Sequence, residues 1–114
     1  MQLALFDLDH TLLSGDSDYE WTQYLVSKGI VDRTTHEARN AEFYEQYKAG
    51  IMDIHEFLDF QLRPLADHTR ADLEAWHADF METQIRPRLS QKARDLVKKH
   101  LDAGDICTMV TATN

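Results

Sequence analysis

Two short apolar runs lie near the ends of the chain, and the segment between them has helical periodicity. The first run, residues 2–8, is continuous rather than alternating, which is typical of a strand buried on both faces of a parallel sheet. The second run, residues 106–110, has the same character. Strands separated by helical segments indicate an α/β fold, so we predict two strands of a parallel sheet.

Start and stop signals divide the first part of the helical segment. Ser17 followed three residues later by Glu20 is a capping-box pattern, so we predict a helix that starts at Ser17 and ends near Gly29. A second helix is expected over residues 35–49, because its apolar positions recur at helical spacing and Gly50 follows as a stop signal.

Similar signals predict three more helices before the second apolar run. Asp53 marks the start of the third helix, and Pro64 is expected to end it. Thr69 with Asp72 indicates the start of a fourth helix, and Ser90 the start of an amphipathic fifth. The fifth helix and the last strand would form a right-handed crossover that returns parallel to the first strand.

Composition and charge narrow the classes of protein and partner. The chain has 114 residues, which suits a single domain by length, and its net charge of −8 argues against binding to nucleic acid or to anionic membranes. Its one cysteine, Cys107, excludes an internal disulfide and fits a reducing compartment. No signal-peptide pattern and no apolar run of membrane-spanning length are present. We therefore expect a cytoplasmic protein. The sequence leaves open whether it forms a homodimer.

Candidate chemistry is concentrated where the first apolar run ends. Asp7 and Asp9 flank Leu8 and are followed by His10 and Thr11. Although side chains alternate along a strand, the turn past its end can bring both carboxylates to one pocket. One carboxylate can act as nucleophile while the other transfers protons, and a divalent metal ion offsets their repulsion. We interpret the two aspartates as a catalytic, metal-binding pair.

An apolar strand followed by Asp-x-Asp-x-Thr resembles the first motif of the haloacid dehalogenase (HAD) superfamily. The resemblance implies that Asp7 is the nucleophile that becomes an aspartyl-phosphate and that Asp9 is the general acid and base. It also implies that the Asp7 carboxylate and the Asp9 carbonyl ligate Mg²⁺. Thr11 is expected to hold the loop and to line the substrate site.

The second apolar run, closed by Thr111, resembles the second motif of the same superfamily. The resemblance implies that Thr111 hydrogen-bonds the transferring phosphoryl group, with Ala112 beside it in the substrate site. The family's two further motifs, a basic residue and an acidic pair, come later in the chain order, whereas this chain reaches only Asn114. We therefore expect the full protein to be longer and this chain to be its N-terminal part.

The layout also resembles the phosphoserine-phosphatase-like branch of the superfamily, in which a helical cap is inserted between the two motifs. The resemblance implies that residues 1–14 and 86–114 form part of a Rossmann-like core and that residues 15–85 form the cap. Glu20 and Arg39, within that insertion, are further candidates for a contact with the substrate.

The function implied by the resemblance is Mg²⁺-dependent hydrolysis of a small phosphorylated metabolite, such as a phosphate ester of an amino acid or amino alcohol. Two alternatives stay open from the sequence. In the first alternative, the chain is a catalytically inactive metal- or phosphate-binding fragment. In the second, it belongs to a phosphomutase or phosphonate-cleaving relative. Turnover of p-nitrophenyl phosphate and identification of the product distinguish these alternatives from hydrolysis.

Overall fold

The computed structural model describes residues 1–113, which form a two-stranded parallel sheet and five α-helices. The order along the chain is β1 (Leu3–Phe6), α1 (Ser17–Ser27), α2 (Arg33–Ala49), α3 (Ile54–Ala66), α4 (Arg70–Phe80), α5 (Gln91–Asp102) and β2 (Ile106–Met109). A π-helical turn, Met81–Ile85, and a short 3₁₀ turn, Arg86–Arg88, connect α4 to α5. The predicted α/β class is confirmed.

The two strands run in parallel with a single register. Leu3 pairs with Ile106 and Phe6 with Met109. The pairing extends one step past β2, where the N–H of Val110 donates to the carbonyl of Phe6 at 2.8 Å. Because parallel strands have their carboxyl ends at the same edge, the segments that follow β1 and β2 leave the sheet side by side.

Asp105 fastens the opposite edge of the sheet, where the strands begin. One carboxylate oxygen accepts the N–H of Gln2 at 3.0 Å, and the other lies 2.9 Å from Nδ1 of His100 in α5. The His100 ring in turn meets the edge of Phe6 in β1, with 5.8 Å between centroids. The hydrogen bonds from His100 and then Gln2 hold the pKa of Asp105 below its ordinary value of 3.8. Asp105 therefore joins α5, β1 and β2.

The sheet is covered on one face only within the described residues. Leu3 and Leu5 are 62% and 61% exposed, and Ile106, which pairs with Leu3, is exposed on the same face. Ala4 and Phe6 point to the other face, the side on which His100 contacts Phe6. The prediction of burial on both faces is wrong for this chain. The crossover helix α5 contacts the face that carries Phe6 and leaves the face of Leu3 and Leu5 exposed.

The predicted capping box of α1 is wrong by one residue. Asp16 is the cap, since its carboxylate accepts the N–H of Tyr19 at 2.9 Å and its carbonyl accepts that of Glu20 at 3.0 Å. Ser17 is the first residue of the helix, and its own N–H donates to Asp9. A carboxylate is the stronger acceptor at a helix N-terminus, which explains why Asp16 takes the capping position.

The prediction that Pro64 ends α3 is also wrong, because the helix continues to Ala66. Pro64 is two positions before the last helical residue, so its missing N–H removes one hydrogen bond near the terminus. Its carbonyl, which would lack a helical partner, lies 2.7 Å from Nδ1 of His68. The His68 ring therefore caps the carbonyl of Pro64 at the end of the helix.

The other helix starts follow the local capping chemistry. The predicted starts at Asp53, Thr69 and Ser90 are confirmed, because the side-chain oxygen of each accepts a backbone N–H of the first turn. Asp32 was not predicted as a cap, yet its carboxylate accepts the N–H of Thr35 at 2.9 Å, so α2 begins at Arg33. This hydrogen bond also lowers the pKa of Asp32.

The chain divides into two compact units. The first comprises Met1–Trp21 and the chain from Ala78 onward, and contains the sheet; its buried apolar residues are Leu12, Leu13, Phe80 and Ile85. The second, Thr22–His77, is helical, and within it Phe43 packs against the rings of Phe57 and Phe60. The predicted boundaries at 14/15 and 85/86, and the role of the helices as a cap, stay predictions.

None of the helices within residues 1–113 has the length and apolar character needed to cross a bilayer.

We expect Asp105→Asn to destabilise the chain in a pH-dependent manner. Because the pKa of Asp105 is lowered on folding, its contribution is full above the unfolded value near 3.8 and is lost as the pH falls through the lower folded value. Urea unfolding of both proteins should therefore show a stability gap at pH 6 that is smaller at about pH 3, below the unfolded pKa. Asp102→Asn, an exposed control on α5, should change stability by less than about 0.5 kcal/mol. An unchanged gap at both pH values would contradict this role for the carboxylate.

Candidate active site

The backbone turns sharply after β1 and folds back on itself. The carbonyl of Leu8 accepts the N–H groups of Thr11, at 3.1 Å, and Leu13, at 2.9 Å. The N–H of His10 donates to the carbonyl of Gly15 at 2.9 Å, and His10 has a φ of 57°, in the left-handed region. A positive φ of this kind is typical of a residue in a tight turn. The loop is closed by its own hydrogen bonds.

Apolar burial anchors the same loop. Leu13 is fully buried and forms an antiparallel bridge with Leu89, and the preceding Leu12 is also buried. The N–H of Ser14 donates to the carbonyl of Arg88 at 2.9 Å. Because the buried Leu12 and Leu13 directly follow the polar segment, movement of the loop away from the sheet would expose both side chains to water. Asp7 and Asp9 therefore project from a fixed loop.

The two aspartates are each held through one carboxylate oxygen. Oδ2 of Asp7 accepts the hydroxyl of Thr11 at 2.8 Å, and Oδ1 of Asp9 accepts the N–H of Ser17 at 2.7 Å. The second oxygen of each carboxylate accepts no hydrogen bond from residues 1–113. Asp7 is exposed and Asp9 half-buried. Each aspartate is thus oriented and keeps one oxygen available for a ligand.

A chain of short contacts links this loop to the segment after β2. The hydroxyls of Ser17 and Thr113 are 3.2 Å apart, and the N–H of Thr113 donates to Oγ1 of Thr111 at 3.1 Å. Ala112, between the two threonines, is exposed. Because Ser17 also binds Asp9, the contacts run from Asp9 to Thr111. Both predicted motifs therefore lie at the same edge of the sheet.

The donor atoms at this edge fit a hard cation. Carboxylate oxygens are the ligands that Mg²⁺ prefers, and it is commonly held by one or two carboxylates with water and substrate phosphate. Asp7 supplies one such carboxylate, and the backbone carbonyl of Asp9 is the second oxygen ligand that the resemblance implies. Among residues 1–113 no group of three or more His, Cys, Asp or Glu side chains is arranged as a metal site. The two aspartates would be a partial coordination sphere for Mg²⁺.

Glu20 and Arg39 have protein partners rather than free side chains. Glu20 lies 3.1 Å from Arg88, and Arg39 lies 2.6 Å from Glu42 while stacking over the ring of Phe43. Their proposed contacts with substrate therefore gain no support from the geometry of the chain.

Sequence reasoning missed the roles of Ser17, Thr113 and Arg88. Ser17 was interpreted only as a cap, although its N–H binds a candidate catalytic residue. Thr113 carried a weak signal, a second hydroxyl two residues beyond Thr111. Arg88 carried no signal, because its partner Glu20 is remote in the chain. Contacts of this kind depend on the fold.

Comparisons with known proteins identify the family to which the chain is similar. The family model described as haloacid dehalogenase-like hydrolase matches residues 4–114. A histidinol-phosphatase of Neisseria meningitidis serogroup C (strain 8013) is 46% identical over 112 residues, which are 98% of this chain and 50% of that protein. The crystal structure of a Bordetella pertussis Tohama I protein of unknown function is also 46% identical, with a TM-score of 0.83 over 99% of this chain and 51% of its own. The chain thus spans about half the length of these relatives.

We expect the left-handed conformation of His10 to govern which residues this loop accepts. Asparagine adopts positive φ readily, whereas a β-branched residue does not, so His10→Val should be less stable than His10→Asn by about 1–2 kcal/mol in urea unfolding. The same two substitutions at His77, which is exposed in α4, should differ by less than about 0.5 kcal/mol. Equal stabilities of the two His10 variants would show that the loop does not require this backbone geometry.

Proposed function

Because this chain belongs to the haloacid dehalogenase-like hydrolase family, we propose that it carries the nucleophile and the acid–base group of a phosphoric monoester hydrolase. The observation that supports the proposal most directly is the parallel register, which leads Asp7, Asp9 and Thr111 to one edge of the sheet. Open α/β sheets bind ligands outside the carboxyl ends of their strands, and these residues follow the two strand ends.

In the first half-reaction, a carboxylate oxygen of Asp7 attacks phosphorus. The new bond joins that oxygen to phosphorus, and the bond from phosphorus to the ester oxygen breaks. Asp9 donates its proton to the departing alkoxide, which leaves as an alcohol. The Thr11 hydroxyl, bound to the other Asp7 oxygen at 2.8 Å, orients the nucleophile.

In the second half-reaction, water attacks the phosphorus of the aspartyl-phosphate. Asp9, now ionised, takes the proton of that water, and the bond between Asp7 and phosphorus breaks. Inorganic phosphate leaves, and both aspartates return to their starting protonation states. The hydrogen bond from the Ser17 N–H keeps Asp9 directed in both half-reactions.

Thr111 and the loop amides would hold the transferring group. The Thr111 hydroxyl follows β2 beside the aspartate loop, and Ala112 adds a backbone N–H without a bulky side chain. Donors directed at phosphoryl oxygens stabilise the charge that spreads over them in the transition state. Asp7 and Asp9 would bind Mg²⁺, which neutralises charge on the phosphate when bound.

The substrate class follows from the named relative. Since a protein 46% identical to this chain is named a histidinol-phosphatase, we extend the proposal to the phosphate ester of histidinol, an amino alcohol. The cap role of residues 15–85 and the cytoplasmic location belong to the same proposal. Phosphate release from histidinol phosphate should exceed release from phosphoserine in the complete gene product, measured at equal concentrations with Mg²⁺. Equal rates would remove the support for histidinol.

Asp7→Asn should abolish phosphate release, because an amide oxygen is a poor nucleophile toward phosphorus. We expect the rate of the complete gene product to fall by about four orders of magnitude with p-nitrophenyl phosphate, with an unchanged circular dichroism spectrum. Asp95→Asn, at an exposed position of α5, is the matched control and should retain full activity. Turnover that survives in the Asp7 variant would exclude Asp7 as the nucleophile.

A further inference from the structure

The ion pair between Glu20 and Arg88 is unusually shielded from solvent and has no part in the chemistry described above. Nη2 of Arg88 lies 3.1 Å from Oε2 of Glu20, and the side chains are 30% and 17% exposed. In seven other Lys or Arg ion pairs within residues 1–113, both partners are at least 41% exposed. Because water screens this pair less, it constrains its two segments more strongly than a surface pair does.

Arg88 is fixed on the side of the aspartate loop. Its Nη1 donates to the carbonyl of Gln84 at 2.6 Å, and its own carbonyl accepts the N–H of Ser14 at 2.9 Å. The aliphatic part of its side chain passes Gly15, where an added Cβ would lie 3.6 Å from Cδ of Arg88. Arg88 is therefore packed against the end of the loop that carries Asp7 and Asp9.

Glu20 lies in the first turn of α1, three residues after Ser17. Residues three apart lie on the same face of a helix. The ion pair at Glu20 therefore restrains the first turn of α1, which includes Ser17. At that start, the N–H of Ser17 donates to Asp9 at 2.7 Å. The ion pair therefore ties Arg88 to the helical turn whose first residue, Ser17, binds Asp9.

We propose that Glu20 and Arg88 form a positioning pair that orients the Asp9 carboxylate through the first turn of α1. Loss of either partner leaves an uncompensated charge in a partly shielded site, and the start of α1 is no longer held against the loop. The Ser17 N–H then binds Asp9 less well. The kinetic part of this inference rests on the proposed phosphatase function, whereas its structural part does not.

The structural part can be tested on the chain itself by amide hydrogen exchange in NMR. In Glu20→Ala and Arg88→Met, exchange of the Ser17 amide should accelerate about tenfold or more, as expected for loss of a hydrogen bond to a charged group. The Leu13 amide, bound to Leu8 in the same loop, should be unchanged. Glu20→Ala also removes a negative charge from the first turn of α1, whereas Arg88→Met keeps it, so acceleration in both variants separates loss of the ion pair from weakening of the helix terminus.

Two further variants sharpen this test. Glu20→Gln keeps a neutral hydrogen-bond acceptor and should give an intermediate rate. Glu74→Ala breaks the exposed pair between Arg70 and Glu74 and should leave the Ser17 amide unaffected. An unchanged Ser17 amide in Glu20→Ala would overturn the proposal. Equal acceleration at Ser17 and Leu13 would also overturn it, because that result indicates a general loss of stability.

The kinetic part can be tested through the leaving group in the complete gene product. An alkoxide needs a proton from Asp9, whereas p-nitrophenolate departs without one. In Glu20→Ala, the first-turnover rate should fall about tenfold with an alkyl phosphate and less than about twofold with p-nitrophenyl phosphate. Equal losses with both esters would contradict positioning of Asp9. If the unaltered protein hydrolyses neither ester, the proposed function fails, and the Ser17 amide still decides the structural part.

Discussion

The parallel register of β1 and β2 is the constraint on which the candidate site depends. A parallel pair cannot be closed by a tight turn, so the long helical segment between the strands must return the chain to its starting edge. Asp105 supports that return at one end of the sheet by binding Gln2 and His100 together. At the other end the same register leads the two polar segments out next to each other, and Ser17 connects them. The parallel backbone register therefore brings the two candidate motifs to the same edge of the sheet.

Local signals in the sequence were sufficient for much of this fold. Continuous apolar runs predicted the strands, and the polar caps Asp53, Thr69 and Ser90 predicted three helix starts, because capping is decided within one turn of the backbone. The predictions that Pro64 ends α3 and that Ser17 caps α1 are wrong, because other side chains decide both positions. His68 stabilises the helix end beyond Pro64, and Asp16 competes with Ser17 for the cap while Asp9 takes the Ser17 N–H. Exposure of Leu3 and Leu5 could not be read from an apolar pattern, since burial depends on what covers the strand.

The candidate site shows the same division between local and long-range information. Asp7, Asp9 and Thr111 were identified from motifs that follow strand ends, and their placement at one edge follows from the predicted parallel order. The groups that hold them come from distant parts of the chain. Thr113 reaches Ser17, and Arg88 reaches Glu20, through contacts that no spacing in the sequence encodes. A reactive carboxylate therefore has a recognisable local motif, while its orientation is set by tertiary structure.

The most direct test of the central claim is to trap and locate the phosphorylated residue. The complete gene product would be mixed with p-nitrophenyl phosphate and Mg²⁺, quenched in acid and treated with borohydride, which reduces an acyl phosphate of aspartate to homoserine. Peptide mass spectrometry then identifies the reduced position. We expect reduction at residue 7 and at no other aspartate. Release of phosphate with residue 7 unmodified, or with the label on Asp9 or another residue, would contradict the role assigned to Asp7.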